Sequence, residues 1–370
     1  MPIYMDRHDV AEGVTAEIVA DLHQQDLKIQ DDFNCKGLTY WFDDKRKNAF
    51  CLIEAPNLAA IKEMHAKAHG KVPNNIIEVD EAVVESFLGR IADPEKSQKT
   101  ELNIINDPAF RTIMVVGLKP ISFKETSGKK IIPGITNQDK STLLDTIYKF
   151  KGRAVKQQVG YFLISFDSVT NAVLCALEIQ AVAQDFLHSK FLNSVTLQIG
   201  LCAGVPVSKK EGIFEDTIQM AERLCDIAQD QVMVTSEVRD LYESENSNLS
   251  TDKKYLNVLH PNDEKFLNSL MDYTEREWSN TSLHADDLSK CLGYSKSQLY
   301  RKMISITGKS PNNFIKEYRL NRALKLLNKK NENISEIAYE TGFNSPAYFS
   351  KCFQETFGIL PSVYIKSCLP

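Results

Sequence analysis

Four of the seven histidines in this 370-residue chain fall within the first 70 residues: His8, His23, His65 and His69. His65 and His69 stand four apart in NLAAIKEMHAKAHG, so on a helix both imidazoles project from one face, a workable spacing for a metal ion. Imidazole nitrogen suits nickel, copper or zinc, and carboxylates such as Asp6, Glu54 or Glu78 are on hand to complete a site. His8, His65 and His69 are therefore the candidate ligands. The same two helix histidines also lie in the last turns before Gly70, where a cationic side chain complements the helix dipole with no metal at all. The sequence leaves both readings open, and it does not show whether His8 reaches the helix.

A second kind of chemistry sits at the other end. From Lys290 to Pro370 there are 13 Lys and Arg against 5 Asp and Glu, a local +8, so the rest of the chain carries −13 of the total −5. An acidic body with a basic end suits a regulatory body carrying a nucleic-acid-binding domain. In SLHADDLSKCLGYSKSQLYRKMISITG, Leu288 and Leu292 face inward, Gly293 makes the turn, Ser295 caps the next helix, and Leu299 and Met303 pack. NISEIAYETGFNSPAYFSKCFQETFG repeats the layout, with Ile334, Ile337 and Ala338, the turn at Gly342, the Ser345-Pro346 start, and Phe349 and Phe353 packed at i, i+4. PNNFIKEYRLNRALKLLNK joins the two as one long amphipathic helix. The outward positions are Ser297, Gln298, Arg301 and Lys302 in the first unit, and Ala347, Tyr348, Ser350, Lys351 and Gln354 in the second, and the family resemblance given below implies that they read bases. Arg and Lys match guanine O6/N7, and Gln matches adenine. The helix starts at Ser295 and Ser345 suit phosphates.

Elements that would hold these residues follow from pattern. The expected fold is multidomain α+β: two ferredoxin-like α/β domains followed by an all-α double helix-turn-helix domain. Residues 1–92 read β-α-β-β-α-β, 93–108 a polar linker, 109–245 a second mixed domain, 246–262 another linker, and 263–370 helices throughout. In the second domain VKQQVGYFLISF is a hairpin pinched at Gly160, and its tip offers Gln158, Val159, Gly160 and Tyr161 but no carboxylate. The eight cysteines are scattered with no C-x-x-C pair, which favours reduced thiols and a cytoplasmic setting. The start MPIYMDRHD does not read as a signal peptide, and no apolar run approaches the roughly 20 residues that span a bilayer, so no membrane partner is expected.

Three stretches resemble known families. FIKEYRLNRALKLL, ISEIAYETGF, YFSKCFQETFG and the closing Pro361, Ser362 and Tyr364 resemble the DNA-binding domain of AraC-family transcription regulators. That resemblance implies two helix-turn-helix units in successive major grooves of double-stranded DNA, about one helical turn apart. MPIYMDRHD, LTYWFDDKRKNAFCLIEAP and MHAKAHG…IIEVD resemble a small ferredoxin-like family of unassigned function with a nickel-binding bacterial member. FRTIMVVGLKPIS, the hairpin, VTLQIGLCAGVPV and DTIQMAERLCDIA…QVMVTSEV resemble, in that order, the class III adenylate/guanylate cyclase domain. Cyclase chemistry needs two aspartates to hold two metal ions. The matching positions here are Gly117 and the Val159–Gly160–Tyr161 turn, so the resemblance implies a cyclase-like pseudoenzyme with no catalytic residues. An expected asparagine aligns with Gln219, while the arginine that steadies phosphate is kept as Arg223, a candidate anion or nucleotide contact.

Together these expectations describe a sequence-specific regulator that works as a homodimer. Its first two domains sense a small-molecule or metal effector, a transition metal such as nickel being the candidate cofactor, or they dimerise. The alternatives are a nickel-binding protein with secondary DNA binding, and a residual nucleotide-binding or cyclase protein.

Overall fold

A computed structural model describes residues 1–94, 102–120, 125–126, 129–130, 137–158, 160–191, 195–228, 231–246, 256–328 and 333–368. Val159 and parts of both expected linkers lie outside the described residues.

The N-terminal unit runs β1 (Ile3–Asp9), α1 (Ala16–Ile29), β2 (Lys36–Asp43), β3 (Asn48–Glu54), α2 (Leu58–Ala68) and β4 (Asn75–Val79). Its sheet has the order β2-β3-β1-β4 with antiparallel pairs throughout, the ferredoxin-like arrangement expected. Strand runs such as LTYWF and AFCLI are nearly continuous in apolar residues because both faces are covered. Tyr40, Phe42 and Ile53 meet Val19, Ile61 and Met64 of the two helices. On the opposite face Met5, Trp41, Phe50, Leu52 and Ile77 are equally buried, against α3 (Glu81–Leu88) and what lies beyond it. Helix α3 was not anticipated from the sequence. Asp80 caps it by accepting from Val83 N at 3.1 Å, and Gly89 ends it.

The middle unit comprises β5 (Arg111–Pro120), the two-residue strands β6 (Glu125–Thr126) and β7 (Lys129–Lys130), α4 (Asn137–Lys149), β8 (Arg153–Gln158), β9 (Tyr161–Phe166), α5 (Val169–Phe191), β10 (Val195–Gly204), α6 (Glu215–Ile227), β11 (Val232–Thr235), α7 (Ser236–Glu245) and β12 (Leu256–Leu259). Its main sheet has the order β12-β11-β10-β5-β9-β8. The run β10-β5-β9-β8 is again the ferredoxin-like order, extended by two parallel strands. Strand β12 falls inside the expected second linker. Met114, Val116, Phe162 and Ile164 face α4, α5 and α7. Ile113, Val115 and Leu163 face α6 and α3.

The C-terminal unit is helical: α8 (Pro261–Glu277), α9 (Ala285–Leu292), α10 (Lys296–Thr307), α11 (Pro311–Leu327), α12 (Ile334–Glu340), α13 (Pro346–Phe357) and α14 (Pro361–Cys368). Helices α9–α10 and α12–α13 are the two helix-turn-helix units, and α11 bridges them. The second has its own core of Leu320, Ile337, Phe349, Phe353 and Phe357. No described helix is long and apolar enough to cross a membrane.

The three units share one core. A single cluster runs from Met5 and Trp41 through Phe87 and Leu88 to Val115 and Leu224, and on to Phe266, Leu270, Leu299 and Met303. Arg111, buried at the start of β5, donates to the carbonyls of Phe87, Leu88, Pro108 and Phe110, so it closes the C-terminal end of α3. The stretch expected as a free linker at 93–108 is strapped back in its described part. Tyr40 Oη bonds Asn103 O and Ile105 N, and Phe42 N donates to Asp107 O.

Candidate metal centre and nucleic-acid interface

The histidine cluster forms because four elements converge between sheet and helices. Asp6 and His8 alternate on one face of β1, Cys51 lies opposite Asp6 on β3, Asp26 comes from α1, and His65 and His69 come from α2. His65 is almost fully buried. Its Nε2 lies 2.9 Å from Asp6 Oδ2, and its Nδ1 lies 3.1 Å from Asp26 Oδ1 and 3.3 Å from His69 Nε2. His69 Nε2 is 3.2 Å from Asp26 Oδ1, and His8 Nε2 is 3.4 Å from Asp6 Oδ1. Of His8, His65 and His69, expected together as ligands, His65 and His69 meet in one cluster, while His8 lies in a neighbouring one across Asp6. Of the carboxylates considered with them, Asp6 is present. Glu54 is drawn off to the N-terminal ammonium at 3.2 Å, and Glu78 is exposed on β4. Asp26 and Cys51 went unremarked in the sequence, because only the α1 packing and the β1–β3 register bring them in.

The electrostatics follow from burial and pairing. Burial alone would lower the pKa of His65, but Asp26 and Asp6 on its two sides push it up to about 10. Burial would raise Asp6, yet His8 and His65 hold its carboxyl well below the usual carboxylate range, and His65 and His69 likewise hold Asp26 down. Burial, then Asp6 and Asp26, push the Cys51 thiol well up. Two ligand triads, Asp26–His65–His69 and Asp6–His8–Cys51, each have their ligand atoms within 4.8 Å of one another. Asp26 Oδ1 has no well-directed hydrogen bond despite two ring nitrogens nearby. That unfilled acceptor and the convergent imidazoles fit a borderline transition metal. His23 stands apart, 3.7 Å from Asp93 and against the Tyr40 ring.

In the C-terminal unit each recognition helix is fixed by its cap. Ser295 Oγ accepts from Gln298 N at 3.3 Å while Gln298 Oε1 accepts from Ser295 N at 3.0 Å. Gln298, expected to read bases, is thus engaged in a capping box. Ser345 Oγ accepts from Tyr348 N at 3.4 Å. Ser297, Arg301, Ala347, Tyr348, Lys351 and Gln354 are exposed and Ser350 is half-buried, as the outward assignment requires. Lys302 departs from it: its ammonium pairs with Asp263 of α8 and lies 5.7 Å from the Phe266 ring centre, so it points into the molecule. Tyr348 and Tyr300 leave more than half of their surface free.

The middle unit holds Gly117 beside Tyr161 across the β5–β9 pair, and Gly160 in a turn with φ +71°. Tyr161 Oη donates to Glu222 at 2.6 Å. Gln219 accepts from Lys210. Arg223 is buried and turned to α8, where it pairs with Asp272 and donates to Asn268 Oδ1 at 2.6 Å, with Glu275 at 3.5 Å. The guanidinium weighed as an anion contact is therefore taken up within the chain, as an interdomain link.

Comparison with known proteins follows the same division. A family model described as a helix-turn-helix domain matches residues 288–367, and one described as nickel responsive protein SCO4226-like matches residues 4–79. Among curated relatives, histidine kinase P4 of Formosa agariphila is 42% identical over 102 residues, 28% of this chain and 7% of that protein. The HTH-type transcriptional regulator MtrA of Neisseria gonorrhoeae is 30% identical over 100 residues, 27% of this chain and 32% of that protein. The uncharacterised HTH-type regulator YdeC of Bacillus subtilis is 32% identical over 81 residues, 22% and 28% of the two chains. This chain thus spans at most about a third of the length of these relatives. Among solved structures, a transcriptional regulator with an AraC-type DNA-binding domain from Chromobacterium violaceum is 28% identical, with 29% of this chain and 96% of that one covered and a TM-score of 0.27. SCO4226 from Streptomyces coelicolor A3(2) is 31% identical, with 21% and 94% covered and a TM-score of 0.20. The chain thus carries a helix-turn-helix domain over residues 288–367 and, over residues 4–79, a domain similar to the SCO4226-like family.

Proposed function

We propose that this chain is a sequence-specific, DNA-binding transcription regulator whose N-terminal domain takes up a transition metal. The observation that carries the DNA reading is the pair of capped helices α10 and α13, each with an exposed polar face on a basic unit. Arg301 and Lys351 are the leading base or phosphate contacts, with Ser297, Ala347, Tyr348, Ser350 and Gln354 around them. Lys302 supports α10 instead of reading DNA. Selection of bound sequences from a random pool, followed by binding across a salt series, tests this. Arg301→Ala and Lys351→Ala should each weaken the selected site by about 1–3 kcal/mol if they read a base. A phosphate contact would instead weaken all sequences alike and lower the salt slope by about 1. Binding that is indifferent to sequence and unaffected by both substitutions would overturn the reading.

The chain acts as a homodimer in this reading, so that metal uptake changes the spacing of two DNA-binding domains and only one spacing fits both half-sites. Sedimentation with and without nickel or zinc tests that step. The middle domain has no catalytic part: Gly117 and Gly160 supply no carboxylate, and Arg223 is engaged by α8. It transmits between the ends.

A further inference from the structure

The donor atoms around His65 do not form one shell. They divide into two, and Asp6 stands between them. On one side His65 Nδ1, His69 Nε2 and Asp26 Oδ1 meet within 3.3 Å of one another. On the other side Asp6, His8 and Cys51 present an oxygen, a nitrogen and a sulfur within 4.8 Å. Asp6 Oδ2 holds His65 Nε2, which is the way a carboxylate orients the far nitrogen of a metal-bound histidine. Its Oδ1 is turned toward His8 at 3.4 Å and accepts from Cys51 N at 2.9 Å. The sheet register explains why a thiol is there: Asp6 pairs with Cys51, so both side chains rise from the same face toward the helices.

We propose that Asp6, His8 and Cys51 form a second cation pocket beside Asp26–His65–His69, with Cys51 as a thiolate ligand that makes it the softer of the two. The proposal rests on reading the domain as metal-binding and adds to it a sulfur ligand and a second ion. Asp6, Asp26, Cys51 and His65 are all buried, so an ion seated among them would be held away from solvent. Thiolate selects borderline and soft ions such as zinc, cobalt(II) or copper(I), while the imidazole-carboxylate pocket suits nickel or zinc. On coordination the Cys51 thiol proton leaves to solvent and the sulfur lone pair enters the metal bond.

The test uses the full chain, stripped with a chelator and titrated with cobalt(II) as a spectroscopic probe, with ions per chain counted by native mass spectrometry. The unaltered protein should bind two ions and show a sulfur-to-cobalt charge-transfer band. Cys51→Ser should lose the band and one ion, whereas His69→Ala should lose one ion and keep the band. Cobalt bound without the band in the unaltered protein, or a band that survives in Cys51→Ser, would overturn the second pocket while leaving metal binding intact. No cobalt bound at all would remove the metal reading itself and this inference with it.

Discussion

At the scale of single residues, His65 decides most. Its imidazolium stands between two buried carboxylates, and each of the three is stable as a charge only because of the others. Removing one member of such a group strands the rest, at a cost of about 3–5 kcal/mol. His65→Ala in chelator-stripped protein should lower unfolding stability by that order in urea titrations. The pH dependence has a definite sign. His65 is raised from its ordinary 6.5 to about 10, so its contribution is full below 6.5 and is lost as pH climbs through 10. Asp6 and Asp26 are lowered, so theirs is full above the ordinary carboxylate value of about 3.9 and is lost as pH falls below it. The gap between the unaltered protein and His65→Ala should be widest between those limits and close on both sides. A gap that stays constant from acid to alkali would show that the triad is not ionised as described. The i, i+4 pair His65 and His69 was legible in the sequence. Asp26 and Cys51 were not, since a helix face can be read from spacing but neither the packing of one helix against another nor a cross-strand neighbour can.

At the scale of elements, the turns of the two helix-turn-helix units look alike in sequence but differ in room. Gly293 and Gly342 both have positive φ, +72° and +77°. Among the described residues a Cβ at Gly293 would meet nothing within 4 Å, whereas one at Gly342 would come 2.7 Å from Trp278 O and 2.8 Å from Arg319 Nε. Arg319 in turn donates to Trp278 O at 2.8 Å, so that turn is locked to the end of α8. Gly293→Ala should therefore cost only the left-handed backbone penalty of about 1–2 kcal/mol. Gly342→Ala should cost more and loosen the second unit, visible as faster amide exchange along α12 and α13. Equal losses for the two variants would contradict the close approach. Both turns and their caps were readable because glycine and serine signal locally. Helix α3 was missed because EAVVESFLGR is short and carries apolar residues on more than one side. Its Val84, Phe87 and Leu88 make sense only once two sheets are known to close on it.

At the scale of the whole molecule, the question is whether the three units behave as three bodies. Their core says otherwise: Phe87 of α3 packs where the N-terminal sheet, the middle sheet and the Phe214 ring meet, 5.1 Å from that ring's centre. Helix α8 then lays Phe266, Leu267 and Leu270 into the same cluster, and polar links reinforce the seam. Arg223 ties α6 to α8, and Glu317 of α11 pairs with Lys119 of β5 and, at 2.8 Å, with Lys309. The domain order could be read from sequence, but not this seam, because its residues look like ordinary core positions of each unit. The chain's two tryptophans allow a direct test, since Trp41 reports the N-terminal sheet and Trp278 the end of α8. With each kept alone, in Trp278→Phe and Trp41→Phe backgrounds, the urea transitions monitored by fluorescence should be broad-scale cooperative, with nearly the same midpoint. Phe87→Ala, which opens a cavity at the seam costing about 3–5 kcal/mol, should shift both midpoints down together. A shift seen only at Trp41 would mean that the helix-turn-helix end folds apart from the N-terminal end, and a change at the N-terminal cluster would then have no packed route to α10 and α13. Coincident shifts would supply that route: a change at His65 need only strain the sheet face carrying Met5 and Trp41 to be felt, through α3 and α8, at α10 and α13.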